Sequence, residues 1–260
     1  MLNKGLSLTP AEKREIAALE KLVIRAARTA GLILTRYFQR REYHVRSKGA
    51  AGLVTDADLA AEAAVIKILR AGRPHFAFLT EEGLAKNLRP TADPSFGRTS
   101  GRWIVDPLDG TTNFVHGFPM FCVSIGAEWQ GRVVAGAIYH PVLREMYHAR
   151  EGGGAWLGGK KRLHVSKTKQ VADALLTTGF TYQKRKHLNV EMNAFRALSS
   201  RARAVRRPGS AALDLAYTAR GVFDGFWERR LNPWDVAAGG IIVQEAGGVV
   251  TDFSGRPFHP

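Results

Sequence analysis

Apolar side chains recur at three- and four-residue intervals through the first forty positions: Ile16, Leu19, Val23, Ala26, Ala30, Ile33 and Tyr37. That period lines one face of a long helix. Thr9-Pro-Ala-Glu12 supplies its start, with a capping threonine, a first-turn proline and a glutamate three residues on. The basic, glycine-containing segment 40–52 reads as a hairpin or loop. Leu53-Val-Thr-Asp-Ala-Asp58 leads into a second helix with apolar or small residues at 59, 63, 66 and 69, and Thr55 and Asp58 have capping-box spacing. A short strand at 76–79 ends in Thr80-Glu81-Glu82-Gly83, and a connection with several Pro, Ser and Gly covers 84–102. Trp103-Ile-Val105 reads as a buried strand end, Pro107 turns the chain between Asp106 and Asp109, and Gly110-Thr-Thr112 opens a helix.

Strand patterns take over downstream. Runs 121–129 and 132–139 flank Gln130-Gly131 as a β-hairpin, 143–149 continues it, and Gly152-Gly-Gly154 marks a tight turn before a short strand or loop at 155–165. This sheet reads as antiparallel. After Ser166, strands at 175–178, 204–206 and 222–227 alternate with helices at 187–198 and 210–219. Asn232-Pro-Trp-Asp235 then opens a last helix, which Gly247 and Gly248 end before a strand at 249–251. The pattern predicts an α+β half over 1–165 and an α/β half over 166–260, with no internal repeat.

A chain of 260 residues, 45% hydrophobic and 23% charged, can bury a sizeable core and belongs to a soluble globular class. No apolar run approaches the roughly 20 residues of a membrane span, and Met-Leu-Asn-Lys-Gly-Leu-Ser carries no signal-peptide core. The single cysteine, Cys122, reads as core filling; it excludes an internal disulfide and points to a reducing compartment, the cytoplasm. Net charge is +15, with basic clusters at 36–48, 160–169, 184–187 and 201–207. Such a field concentrates anionic ligands, phosphates and nucleic acids alike. A solvated basic surface accounts for it equally well, and no nucleic-acid-binding motif accompanies it.

Against that background, Asp58, Glu81, Asp106, Asp109 and Asp235 all stand at strand–helix corners, where ligand sites are built. Singly, four of them have bland roles. Asp58 completes a capping box, Glu81 is a solvated strand-end residue, Asp109 caps the helix after it, and Asp235 is a first-turn acid. Jointly the five are oxygen donors with no Cys or His at zinc spacing, which favours hard cations, Mg2+ before Ca2+ or Zn2+. Two Mg2+ ions bridged by an aspartate would stabilise both attacking and leaving oxygens in a phosphoryl displacement.

Trp103-Ile-Val-Asp-Pro-Leu-Asp-Gly-Thr-Thr-Asn-Phe-Val-His116 resembles the signature of the inositol monophosphatase family. So do Pro233-Trp-Asp-Val-Ala-Ala-Gly239 with Glu245-Ala-Gly-Gly248, Gly209-Ser-Ala-Ala-Leu-Asp-Leu-Ala-Tyr217 and Leu53-Val-Thr-Asp-Ala-Asp58, and the likeness spans about residues 10–258. It implies a layered αβαβα fold, a homodimer, and hydrolysis of a small-molecule phosphate monoester by direct attack of water. Glu81, Asp106 and the Leu108 carbonyl would hold one Mg2+; Asp106, Asp109 and Asp235 would hold a second, and Glu81 would aid a third. Thr111 with Asp58 would orient the water, backbone N–H groups of Gly110 and Thr111 would receive the phosphate, and Asp109, Ala211 and Glu228 would contact polyol hydroxyls. Thr80-Glu-Glu-Gly83 departs from the commoner Glu-Glu-Ser and keeps the ligand. Relatives usually continue for another short strand and helix past Phe258-His-Pro260, so the chain is either cut short or lacks that edge. Thr111-Thr-Asn-Phe114 favours the inositol branch over phosphoadenosine-phosphate phosphatases, while fructose bisphosphatase and histidinol-phosphate phosphatase share the metal site.

Overall fold

Two capping boxes start the outer helical layer of this computed structural model, which describes residues 8–49, 52–88, 101–180 and 184–258. Thr9 Oγ1 accepts from the Glu12 amide while the Glu12 carboxylate accepts from the Thr9 amide, and α1 (Pro10–Arg40) follows. Its buried face is close to the predicted one, with Leu34 rather than Ile33 turned inward. The segment 40–52 is a hairpin: β1 (Val45–Ser47) pairs antiparallel with β2 (Leu53–Thr55). Thr55 and Asp58 then cap α2 (Asp56–Gly72) reciprocally. The buried face of α2 is Ala57, Asp58, Ala61, Glu62, Val65 and Leu69, rotated from the predicted stripe because two carboxylates point inward.

Both helices cover one face of a seven-stranded sheet that runs in order from β3 (Ala77–Thr80) and β4 (Arg102–Asp109) through β5 (Cys122–Trp129), β6 (Arg132–His140), β7 (Glu145–Arg150), β8 (Gly154–Leu157) and β9 (Lys161–Arg162). β3 and β4 are parallel and every later pairing is antiparallel. The strand at Trp103 does not end at Val105. It continues through Pro107 to Asp109, and its register with β5 slips between Asp106 and Asp109. Three steps along β4 oppose two along β5, a bulge that absorbs the missing N–H of proline. Most of the predicted 84–102 connection lies outside the described residues.

The other face of the sheet carries α6 (Pro233–Glu245), with α5 (Ala211–Ala219) packed beside it. The approach is close enough to require glycine: a Cβ on Gly136 would lie 2.8 Å from the Ala238 Cα. Beyond α5, a three-stranded parallel sheet is ordered β11 (Ala204–Arg206), β10 (Leu175–Thr178), β12 (Gly225–Trp227), and α4 (Lys184–Ser199) lies against β11. The result is the layered αβαβα arrangement. The predicted strand at 249–251 is absent; Thr251 forms only an isolated bridge to Pro257. Cys122 is fully buried among Ile138, Tyr147, Ala212 and Leu213, in a core drawn from both sides of residue 166. Among the described residues no helix is long and apolar enough to cross a membrane.

Candidate active site

The bulge in β4 turns consecutive acidic residues toward one place. Asp106 is almost wholly buried, and its Oδ1 accepts from the Leu108 amide at 3.0 Å. Gly110 follows in the left-handed region (φ 95°), where a Cβ would sit 2.8 Å from the Met120 carbonyl oxygen. It starts α3 (Thr111–His116) without any side-chain cap. The short helix is pinned by Phe114, which stacks edge-on to Phe121 at 5.0 Å. Thr111 Oγ1 lies 3.1 Å from the Leu108 carbonyl oxygen and 3.2 Å from Asp58 Oδ1, so its single proton can go to either.

Asp109 is not the cap of its own helix. Its Oδ2 accepts from Ser210 Oγ and from the Ala212 amide, both at 2.7 Å, and so ties the end of β4 to the start of α5. Ala211, between those two donors, is buried in the same corner. Asp235 does cap locally: its Oδ2 accepts from the Asn232 amide at 2.7 Å. Asp58 divides its oxygens, with Oδ2 taking the Thr55 amide and hydroxyl while Oδ1 meets Thr111. Capping and site formation are therefore not alternatives for this residue. Glu228 lies against Gly179, where a Cβ would come within 2.2 Å of its carboxylate.

The two adjacent glutamates after β3 do not stand free in solvent. Lys48, beyond the end of β1, donates to Glu81 Oε1 and Glu82 Oε1, each at 2.8 Å, and the Glu82 side chain is 4% exposed. Sequence reasoning counted Lys48 only within a basic cluster. It also missed Ser210 and the fully buried Glu62, although Glu62 stands four residues after Asp58, the spacing of one helix face.

Burial raises the carboxyls here, and mutual repulsion adds to it. Asp106 is raised well above its usual range by burial and then by Glu81, Asp109 and Asp235. Burial lifts Asp109 to about 6 against the pull of Ser210 and Ala212, lifts Asp235 to about 7 with help from Asp109, and lifts Asp58 to about 6. Glu228 reaches about 8 through burial, Asp109 and Asp235. Lys48 is the counter-charge: burial alone would lower it, but Glu81 and Glu82 outweigh burial and hold it cationic. Among the described residues, no three acidic, His or Cys side chains already stand in a geometry that encloses a metal ion. Glu81, Asp109 and Asp235 each hydrogen-bond instead to a protein donor. The donor set still fits a hard cation, because oxygen ligands that repel one another are what such an ion relieves.

The layered fold is shared with a solved inositol monophosphatase from Anabaena, and the chain's family and relatives make it a phosphatase hydrolase. The chain belongs to the inositol monophosphatase family, whose model matches residues 15–260. That family is generally metal-dependent. A Mesorhizobium japonicum inositol-1-monophosphatase is 42% identical over 240 residues, covering 92% of this chain and 87% of the relative. The Pseudomonas aeruginosa Nus factor SuhB is 42% identical over 242 residues, covering 90% and 85%. The crystal structure of the extragenic suppressor protein suhB from Bartonella henselae superposes with a TM-score of 0.82 at 40% identity, over 92% of this chain and 89% of that one.

Carboxyls raised on folding hold protons that the unfolded chain has lost, so from about pH 4 to pH 8 their ionisation opposes the fold increasingly. Asp106→Asn keeps the acceptor for the Leu108 amide and removes the charge at the centre of the repulsion. Without added metal it should stabilise the protein by roughly 1–3 kcal/mol at pH 8 and by much less at pH 5. Denaturant midpoints at the two pH values measure this, and a change of equal size at both would contradict the repulsion.

Proposed function

We propose that this phosphatase hydrolyses phosphate monoesters of polyols or sugars, inositol 1-phosphate foremost, in a reaction supported by two to three Mg2+ ions. The observation that carries the reading is the Thr111–Asp58 contact of 3.2 Å beside the paired carboxylates of the β4 bulge. Glu81, Asp106, the Leu108 carbonyl, Asp109 and Asp235 would hold the ions, which when bound acidify water and neutralise phosphate charge. Thr111 hydrogen-bonds to Asp58 and accepts from the attacking water, so that the water's proton passes to Thr111 Oγ1 as the Thr111 proton passes to Asp58. Asp58, raised to about 6, is suited to draw that proton away near neutral pH. The Gly110 and Thr111 amides at the start of α3 face the phosphate. At the alcohol end, Glu228, which burial with Asp109 and Asp235 pushes up to about 8, would contact the polyol hydroxyls together with Asp109 and Ala211. Resemblance to the family supports a homodimer, and the one buried cysteine supports a reducing, cytoplasmic setting.

The test is phosphate release from inositol 1-phosphate, fructose bisphosphate and histidinol phosphate, with and without Mg2+. The expected order puts inositol 1-phosphate first, and Thr111→Val should lower kcat by roughly 10²–10⁴. Faster turnover of either other substrate would reassign the enzyme as a fructose bisphosphatase or a histidinol-phosphate phosphatase. No Mg2+-dependent release from any of them would overturn the proposal.

A second reading is favoured by the +15 charge together with relatives named Nus factor. In it the basic surface engages nucleic acid or a transcription complex, alongside catalysis. Filter retention of RNA with sequence preference persisting at about 0.2 M salt is the expected result, and retention that vanishes there would leave only nonspecific attraction.

A further inference from the structure

α2 presents two fully buried carboxylates from one face, Asp58 and Glu62, one helical turn apart. Asp58 has a local reason to be there, since it caps the helix. Glu62 has none. The hydrogen bonds found for it all come from three residues at and just past the end of β3: Thr80 Oγ1 donates to Oε1 at 2.8 Å, the Leu84 amide donates to Oε1 at 2.7 Å, and the Glu82 amide donates to Oε2 at 3.0 Å. Thr80 Oγ1 in turn accepts from the Gly83 amide at 3.2 Å, closing the turn around the carboxylate. Burial raises the Glu62 carboxyl, and apolar side chains would seat α2 on the sheet without that penalty. The carboxylate is explained by what it grips.

Inside that grip is Glu81. Its amide donates to the Val105 carbonyl of β4 at 3.1 Å, and Glu62 holds the Thr80 hydroxyl on one side of it and the Glu82 amide on the other. One rigid helix thus reaches Thr111 through Asp58 and the Glu81 turn through Glu62. We infer that Glu62 is a positioning residue of the reaction, which sets the Glu81 carboxylate at a fixed distance from the Asp58–Thr111 pair. The inference rests on the reading of Glu81 as a cation ligand. Groups that orient metal ligands from behind typically contribute 10- to 100-fold in metal affinity or activity.

The experiment is calorimetric titration of Mg2+ into wild type, Glu62→Gln and Thr80→Val, with amide exchange read at Glu82 and Leu84. Glu62→Gln places an amide where an N–H donor needs an acceptor; Thr80→Val removes one donor and leaves Glu62 in place. Exchange at Glu82 and Leu84 should quicken in Glu62→Gln, and its Mg2+ affinity should fall about 10- to 100-fold. The Mg2+ concentration for half-maximal activity should rise while substrate KM at saturating Mg2+ stays near wild type. Thr80→Val should shift the same quantities in the same direction by less, and it carries the test if Glu62→Gln does not fold. Variants with lowered melting temperature and wild-type Mg2+ affinity would make Glu62 merely structural and overturn the inference alone. A wild-type protein that takes up no Mg2+ would overturn the cation reading and this inference with it.

Discussion

Asp106 stands where the fields of Glu81, Asp109 and Asp235 meet, and the repulsion among these buried charges is what the surrounding structure has to resist. The chain resists it by giving each carboxylate a donor of its own. The Leu108 amide serves Asp106, Ser210 and the Ala212 amide serve Asp109, the Asn232 amide serves Asp235, and Lys48 serves Glu81. Those donors come from separate parts of the fold, so the site exists only when the layers are assembled. A protein with a net charge of +15 has thereby built a locally negative interior. Hydrogen bonds to protein donors hold the carboxylates in place but do not cancel their charge, and cations would complete the balance.

The layers themselves follow from packing. α6 is buried between the seven-stranded sheet and α5, and glycines in the strands beneath it let helix and sheet backbones approach. That closeness places Asp235, in the first turn of α6, over the end of β4 where Asp106 and Asp109 emerge. The bulge at Pro107 does the rest: without the extra residue, the side chains after Asp106 would alternate strictly between the two faces of the sheet.

Features encoded by neighbours in the chain were legible. The Thr9–Glu12 and Thr55–Asp58 boxes, the Gln130-Gly131 hairpin and the alternation after Ser166 all reappear in the structure, because their partners lie within a few residues. Features encoded across the fold were not. The sequence pattern stops the strand at Val105 and turns the chain at Pro107, since a bulge against β5 leaves no mark in β4 alone. The inward face of α2 was misplaced because a hydropathy stripe cannot register buried Asp58 and Glu62. Lys48 reads as one of its basic neighbours because its partner Glu81 lies 33 residues away, and the cap that Asp109 offers when read alone is absent because its donor Ser210 lies 101 residues on. The carboxylates stand out as candidates at strand–helix corners, and the resemblance gives them roles; the distant donors, Ser210 and Ala212 for Asp109 and Lys48 for Glu81, needed three dimensions.

If repulsion among buried carboxyls is the governing constraint, cation binding must expel the protons those carboxyls retain. The direct measurement is Mg2+ titration by calorimetry at about pH 6.5 in two buffers of different ionisation enthalpy, near the middle of the range where Asp58, Asp109 and Asp235 are raised. The predicted result is release of about one proton or more per chain on saturation, falling toward zero by about pH 9. Mg2+ binding with the same heat in both buffers at pH 6.5 would show that no protons leave, and the account built on mutual repulsion would be wrong.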